Sequence, residues 1–389
     1  MMNKNMSRTV CVFILVAGLF VTLATQDFDI KVIEKPVPKY HGLSNAQNLI
    51  LSRSVDEISE NSLRYFQGIQ AAAVDKSGNF YFFDYKHCCI VKLDPGLKYV
   101  ARISRKGEGP GEIRQETQAP TVVFLSAGLD GHLYLFDIMR KLIMKFSLDG
   151  KFQGDFKIEQ FVPVKVLADE NGSLYLPSVH DHILDVYNPK MVYLKSLVAK
   201  SRYWNNFLFA KPPACVIHRY IMPSFGIVYY DFLSTGDLLL INNVDLSVMV
   251  FDRLNGTLKK QFYAWDDFVL AEYRGKIANA IKIAEETPGT CAYSTAFSNF
   301  FLDECDNIFL QFVDTHKDSY IYRLSVDGNV LQVFKVIKPD IEGDPRFFYV
   351  KNNCFYGYTQ FGVHIFEPAY APRKGELHSP LSRGGHFYE

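Results

Sequence analysis

The chain has 389 residues and carries 42 basic and 42 acidic side chains, so its formal net charge is zero. That balance argues against the basic footprint of a nucleic-acid-binding protein and against a polybasic membrane patch. Apolar residues make up 48% and aromatic residues 15%, including 23 Tyr and 32 Phe, which suffices for a large core and favours sheet over helix bundle.

The first 24 residues have the layout of an export signal. Lys4 and Arg8 precede an uncharged apolar run from Thr9 to Ala24, with Thr22-Leu23-Ala24 as a small-residue cleavage site and polar Thr25-Gln26-Asp27 after it. The run is short for a spanning helix, and no later stretch offers about 20 uninterrupted apolar residues. The expectation is a soluble protein exported to the periplasm or the cell surface; an uncleaved anchor is the alternative. Asp29 to Lys35, DIKVIEK, alternates like a strand, whereas Pro38 to Gln70 reads as loop or short helix.

Ala71 to Ile113 is a four-strand meander. Its runs AAAV, NFYFFD, CCIVKLD and KYVARIS are rich in β-branched and aromatic residues, and the breaks DKSG and DPGL are turn sequences. The pattern recurs at Thr121 to Ile158, Pro163 to Ala199, Phe225 to Ala264 and Ser294 to Ile337, then in part from Arg346 to Pro368, where only three strands are present. Units of about 40 residues built this way indicate an all-β fold, a six-bladed β-propeller of four-stranded antiparallel blades. The Asp29 to Lys35 strand, placed beside Gly362 to Glu367, would complete the last blade and remove an open edge.

Trp265 to Glu286 departs from the meander and reads as a helical insertion. Tyr273, Ile277, Ile281 and Ala284 share a face, Asp266 and Asp267 sit at its start, and Pro288-Gly289 stops it. The propeller is expected over 27–370, followed by a polar, disordered tail at 371–389. After cleavage six cysteines remain, with no CxxC pair and too few for a disulfide scaffold. Cys291 and Cys305 could pair; buried free thiols on strands are the alternative for Cys305 and Cys354.

These pieces resemble a known group. GNFYFFD (Gly78 to Asp84), KGEGPGEI (Lys106 to Ile113), GHLYLFDIMRKLIMKFSLDGKF (Gly131 to Phe152) and YIYRLSVDGNVL (Tyr320 to Leu331) are similar to the six-bladed β-propellers abundant in Bacteroidetes, relatives of the NHL-repeat propellers. GEGPGE is the most specific of them. The resemblance implies the fold and an export signal, although many members carry a lipobox cysteine that this chain lacks at the matching place. It implies no biochemical activity.

In such a blade the first-second and third-fourth turns lie on one face, and here they are uniformly tight: DKSG, LDGH, ENGS, VDGN. The second-third loops and the blade connections lie on the other face and are long and varied, which is where binding residues concentrate. Ligand-binding candidates on that face are Arg114, Arg140, His180, His182, Tyr203, Trp204, Arg219 and His316. SRYWNN at Ser201 to Asn206 and HRY at His218 to Tyr220 set aromatic faces beside cations, which suits a carbohydrate or peptide-like ligand; packing of a long loop is the alternative. His180 and His182 share one side of an extended segment. A zinc site would also need His87, His218 or His316, and a solvated loop is the competing reading. GEGPGE lacks the Lys-Ser/Thr end of a phosphate loop and reads as a structured connector. The Asp-Gly pairs at Asp130, Asp149 and Asp327 lack the full alternating-oxygen pattern of a calcium loop and read as hairpin turns. No GxSxG elbow or marked nucleophile arrangement occurs, and no cofactor, catalytic residue or metal is assigned. The expected function is an exported binding module for an unidentified carbohydrate or protein partner, in glycan or nutrient acquisition. The alternative is a propeller enzyme such as a metal-dependent lactonase, a lyase or a glycan-processing hydrolase.

Overall fold

The computed structural model describes residues 43–57, 66–114, 123–137, 140–158, 165–178, 182–199, 228–243, 246–264, 296–314 and 316–369, together with 268, 269, 271–273, 275 and 276. The chain folds as a propeller built from four-stranded antiparallel blades. The first comprises β2 (Ile69–Val74), β3 (Phe80–Asp84), β4 (Cys89–Leu93) and β5 (Tyr99–Ile103), hydrogen-bonded in chain order. Every residue of β3 is buried, while β2 alternates between buried and partly open positions and β5 between partly open and exposed ones up to its buried last residue, Ile103. This is why the second run of each repeat is continuously apolar: a mid-blade strand is covered on both faces. The second blade is β6 (Val123–Ala127), β7 (His132–Asp137), β8 (Leu142–Ser147) and β9 (Phe152–Lys157), and the third is β10 (Leu167–Ala168), β11 (Leu174–Pro177), β12 (His182–Tyr187) and β13 (Tyr193–Ala199). The fourth is β14 (Val228–Phe232), β15 (Leu238–Asn242), β16 (Ser247–Phe251) and β17 (Leu258–Tyr263).

The turns are fixed by side-chain oxygens. Asp75 Oδ1 accepts from the backbone N–H of Ser77 at 2.8 Å and of Asn79 at 3.0 Å, and Asp94 Oδ1 does the same for Gly96 and Lys98 at 2.9 Å each. Asp169 and Asp303 repeat the scheme, so in each of these four turns one carboxylate oxygen accepts from two backbone N–H groups. At the Asp-Gly pair of the second blade, Asp130 Oδ2 instead accepts from Tyr134 at 2.7 Å and from Lys145 at 3.0 Å. Burial works against its charge, but these two hydrogen bonds outweigh it and hold the carboxyl below its ordinary range.

The remaining eight strands differ from the expectation of separate blades. β18 (Phe297–Leu302), β19 (Ile308–Val313), β20 (Ser319–Leu324) and β21 (Val330–Val336) continue through β1 (Gln47–Val55) into β24 (Val363–Pro368), β23 (Cys354–Tyr358) and β22 (Arg346–Lys351) as one eight-stranded sheet. Four blades are therefore separate sheets. The cause is β1, which uses both edges: Gln47, Asn48 and Leu49 pair in parallel with Phe334, Lys335 and Val336, and Leu49 to Val55 pair antiparallel with β24.

The strand beside β24 is thus β1, from within the stretch read as loop or short helix; the Asp29 to Lys35 candidate lies outside the described residues. In QNLILSRSV only Leu49 is fully buried, so the strand has almost no apolar signature. The GEGPGE connector holds itself together. Glu112 accepts from Gly109 N–H at 2.9 Å and from Arg105 Nε at 2.7 Å, contacts that keep its carboxyl below the ordinary range. Gly111 has a φ of +73°, and a Cβ there would stand 2.8 Å from the Phe152 ring.

Apolar clusters fill the space between neighbours around the ring. Tyr81 and Ile90 of the first blade pack with Leu133 and Met144 of the second, and Phe80 and Phe82 pack on the other side with Tyr358 and Val363. Residues 268, 269, 271–273, 275 and 276 are helical, and Val269 and Tyr273, four apart, are both fully buried against blade four and β18–β21. Ile277, Ile281 and Ala284 lie outside the described residues. Cys305 is exposed in the β18–β19 turn and is not buried on a strand, while Cys354 opens β23, partly open.

Candidate functional site

On the long-loop face each second strand ends in a buried polar residue or is followed at once by one. Asp84 and Asp137 are fully buried, and Ser178, Asn243, Asp314 and Thr359 occupy the corresponding position. They serve the loops that follow. Asp84 accepts from the backbone of Gln67, Lys86 and His87 and from His87 Nδ1 at 2.9 Å. Asn243 exchanges two hydrogen bonds with the backbone of Phe297 at 2.6 and 2.8 Å. The signal was present in the sequence as a polar residue closing each apolar second strand.

The same face carries a pocket of about 610 Å³ between the first blade and the closing strands β22 to β24. Ile69 and Gln70 at the head of β2, Tyr85 after β3 and Phe124 of β6 form one side; Glu342, Asp344 and Arg346 before and at the head of β22, and Tyr358 to Phe361 after β23, form the other. All these positions lie at strand ends or loops of the long-loop face. The first strands β2, β6 and β22 are neighbours in space, and the pocket lies where their leading ends meet.

Gln70 is placed there by a β-bulge. The β2–β3 register shifts between Ile69 and Ala71, leaving Gln70 as the extra residue, and a bulge of this kind re-aims a side chain. Its carbonyl oxygen accepts from the Tyr358 hydroxyl at 3.1 Å, while its side-chain Oε1 is buried with no hydrogen-bond partner among the described residues. Such an acceptor costs free energy unless something donates to it. Burial raises the Tyr358 hydroxyl above its ordinary value, opposed by the charge of Arg346 and a hydrogen bond with it. Arg346 also acts on Tyr229, whose hydroxyl burial likewise pushes up and which donates to Phe297 O at 3.1 Å.

Of the eight candidates named from sequence, the four among the described residues do not line this pocket. Arg140 is committed to structure: its Nε meets Asp137 Oδ2 at 2.7 Å and its Nη2 donates to Glu112 O at 2.8 Å, tying the second blade to the GEGPGE connector. Arg114 is exposed, 3.6 Å from Glu108, His182 opens β12, and His316 is exposed after β19. His180, Tyr203, Trp204 and Arg219 lie outside the described residues, as does His218. Among the described residues no three His, Cys, Asp or Glu side chains converge in a metal-binding group. Gln70 and Arg346 escaped notice because they are single polar residues at the ends of apolar runs, about 275 positions apart in sequence, and only closure of the ring brings them together.

The sequence matches no family model and no curated protein. The fold is similar to that of a Bacteroides fragilis NCTC 9343 protein described as exported, with 13% identity and a TM-score of 0.52 over 85% of this chain and 99% of that one. It is also similar to a member of the DUF4221 family from Bacteroides vulgatus ATCC 8482, with 11% identity and a TM-score of 0.53 over 84% of this chain and 99% of that one. A streptogramin B lyase aligns with 12% identity and a TM-score of 0.43 over 83% and 98% of the two chains. At such identities the likeness is one of fold. Among the described residues no helix is long and apolar enough to cross a membrane.

Proposed function

We propose that this chain is an exported β-propeller binding module that holds a small polar ligand in the pocket on the long-loop face. The observation that carries the reading is a pocket of about 610 Å³ lined by Gln70, whose Oε1 is buried with no partner among the described residues, by Arg346 and by several aromatic rings. Rigid aromatic walls with a few convergent polar groups are the usual make-up of a ligand site. A six-bladed count accompanies the proposal. The eight-stranded sheet divides at the β1–β21 parallel pair into two antiparallel sets of four, and separate apolar clusters pack each set on its neighbours. Export is supported by the Lys4, Arg8 and Thr9 to Ala24 layout and fits a role in nutrient acquisition. The test is a thermal-shift screen of sugars and short peptides against the wild type and Gln70→Leu. Ligands that raise the wild-type Tm but not that of the variant are expected; ligands that act equally on both would move the site elsewhere.

A second reading, a propeller enzyme, is favoured by the Asp84–His87 pair. A fully buried carboxylate 2.9 Å from Nδ1 orients the imidazole on the same face, as a general base requires. Turnover of a lactone or glycoside panel that His87→Ala abolishes would support it.

A further inference from the structure

The charges of the pocket point to the class of ligand. Glu342, Asp344 and Arg346 all line it, within five residues of one another, yet no ion pair joins Arg346 to either carboxylate among the described residues. Opposite charges held so near in sequence would ordinarily neutralise each other. Here they stay apart. Arg346 is the first residue of β22, paired with Tyr358 across the β22–β23 ladder. Glu342 and Asp344 lie in the preceding turn, around Gly343 with a φ of +86°, and both are exposed. The pocket therefore presents an exposed cation beside two exposed carboxylates, with Gln70 on the first-blade side.

We infer that the ligand is dipolar, with a carboxylate and an ammonium group: a free amino acid or short peptide, its carboxylate on Arg346 and its ammonium at Glu342 and Asp344. The inference rests on the binding-module reading above and makes it specific. A purely anionic ligand would meet two carboxylates, and a neutral sugar would use none of the three charges. A zwitterion complements both signs at once. The volume of about 610 Å³ accommodates a few residues.

The test is calorimetric titration of the purified protein with alanine, dialanine and trialanine, with N-acetylated and C-amidated trialanine, and with glucuronate and glucose. The expected result is binding of the free peptides, weakened about tenfold when either end is blocked, since each block removes a charge-assisted contact. Arg346→Gln should weaken the N-acetylated peptide further and leave the C-amidated one unchanged; the double variant Glu342→Gln with Asp344→Asn should do the reverse. All three positions are exposed, and an unaltered Tm verifies that the variants fold. Binding of glucuronate or glucose in preference to the peptides would overturn the dipolar ligand while sparing the binding site. Failure of peptides and sugars alike would count against both.

Discussion

The Tyr358 hydroxyl donates to the main-chain carbonyl of Gln70 across 3.1 Å, joining residues 288 apart and tying the closing strands to the first blade. The bond also braces the bulge that aims Gln70 into the pocket. Tyr358→Phe leaves a buried carbonyl without this donor, so unfolding stability should drop by about 1–2 kcal/mol in urea titration. Pocket ligands should also bind more weakly. An unchanged urea midpoint would mean that the carbonyl finds another donor.

His364 provides a pH dependence. It is buried in β24, its Nδ1 3.0 Å from Ser54 Oγ on β1 and its Nε2 3.0 Å from Thr359 Oγ1. Burial lowers its pKa below the ordinary imidazole value, opposed by the nearby Asp56 carboxylate. The native state therefore resists taking up a proton that the unfolded chain accepts. Its contribution to stability is complete above about pH 6.5 and is lost as pH falls through the lowered native value. Thermal unfolding should show a larger Tm loss between about pH 7.5 and about pH 5.5 in the wild type than in His364→Gln, which keeps hydrogen-bonding capacity but cannot titrate in that window.

Gly111 tests the connector. An alanine there meets both the left-handed backbone and the Phe152 ring, so Gly111→Ala should cost about 1–3 kcal/mol, read as a lower urea midpoint. A neutral substitution would show that the connector adapts freely.

Leu49 tests the ring closure. It is fully buried on β1 and packs in the cluster shared by β18–β21 and β22–β24. Leu49→Ala should cost about 2–5 kcal/mol in the same titration. If β1 were dispensable, the loss would be no greater than that of an exposed position such as Ile50→Ala.

The repeat, the tight turns and the assignment of the two faces were legible because a mid-blade strand needs apolar residues on both sides and a hairpin needs Asp, Asn or Gly. The same logic explains what was missed. β1 is paired on both edges yet buries only Leu49 fully, and shows neither signature. The pocket was illegible for a different reason: Gln70, Arg346 and Tyr358 meet only when the two ends of the propeller come together. Arg140 stood out as a basic residue on a long loop, yet its guanidinium is taken up by the buried Asp137. Basic or aromatic character in a loop does not by itself separate a ligand contact from an internal tie.

The central claim is that a ligand occupies the long-loop face between the first blade and the closing strands. Amide hydrogen exchange, with and without a mixture of short peptides and oligosaccharides, tests it most directly. The account predicts slowed exchange at Ile69 and Gln70, across 342–346 and across 358–361, with the hairpin turns at Asp94 and Asn188 unaffected. Protection confined to those turns, or none around the pocket, would contradict it.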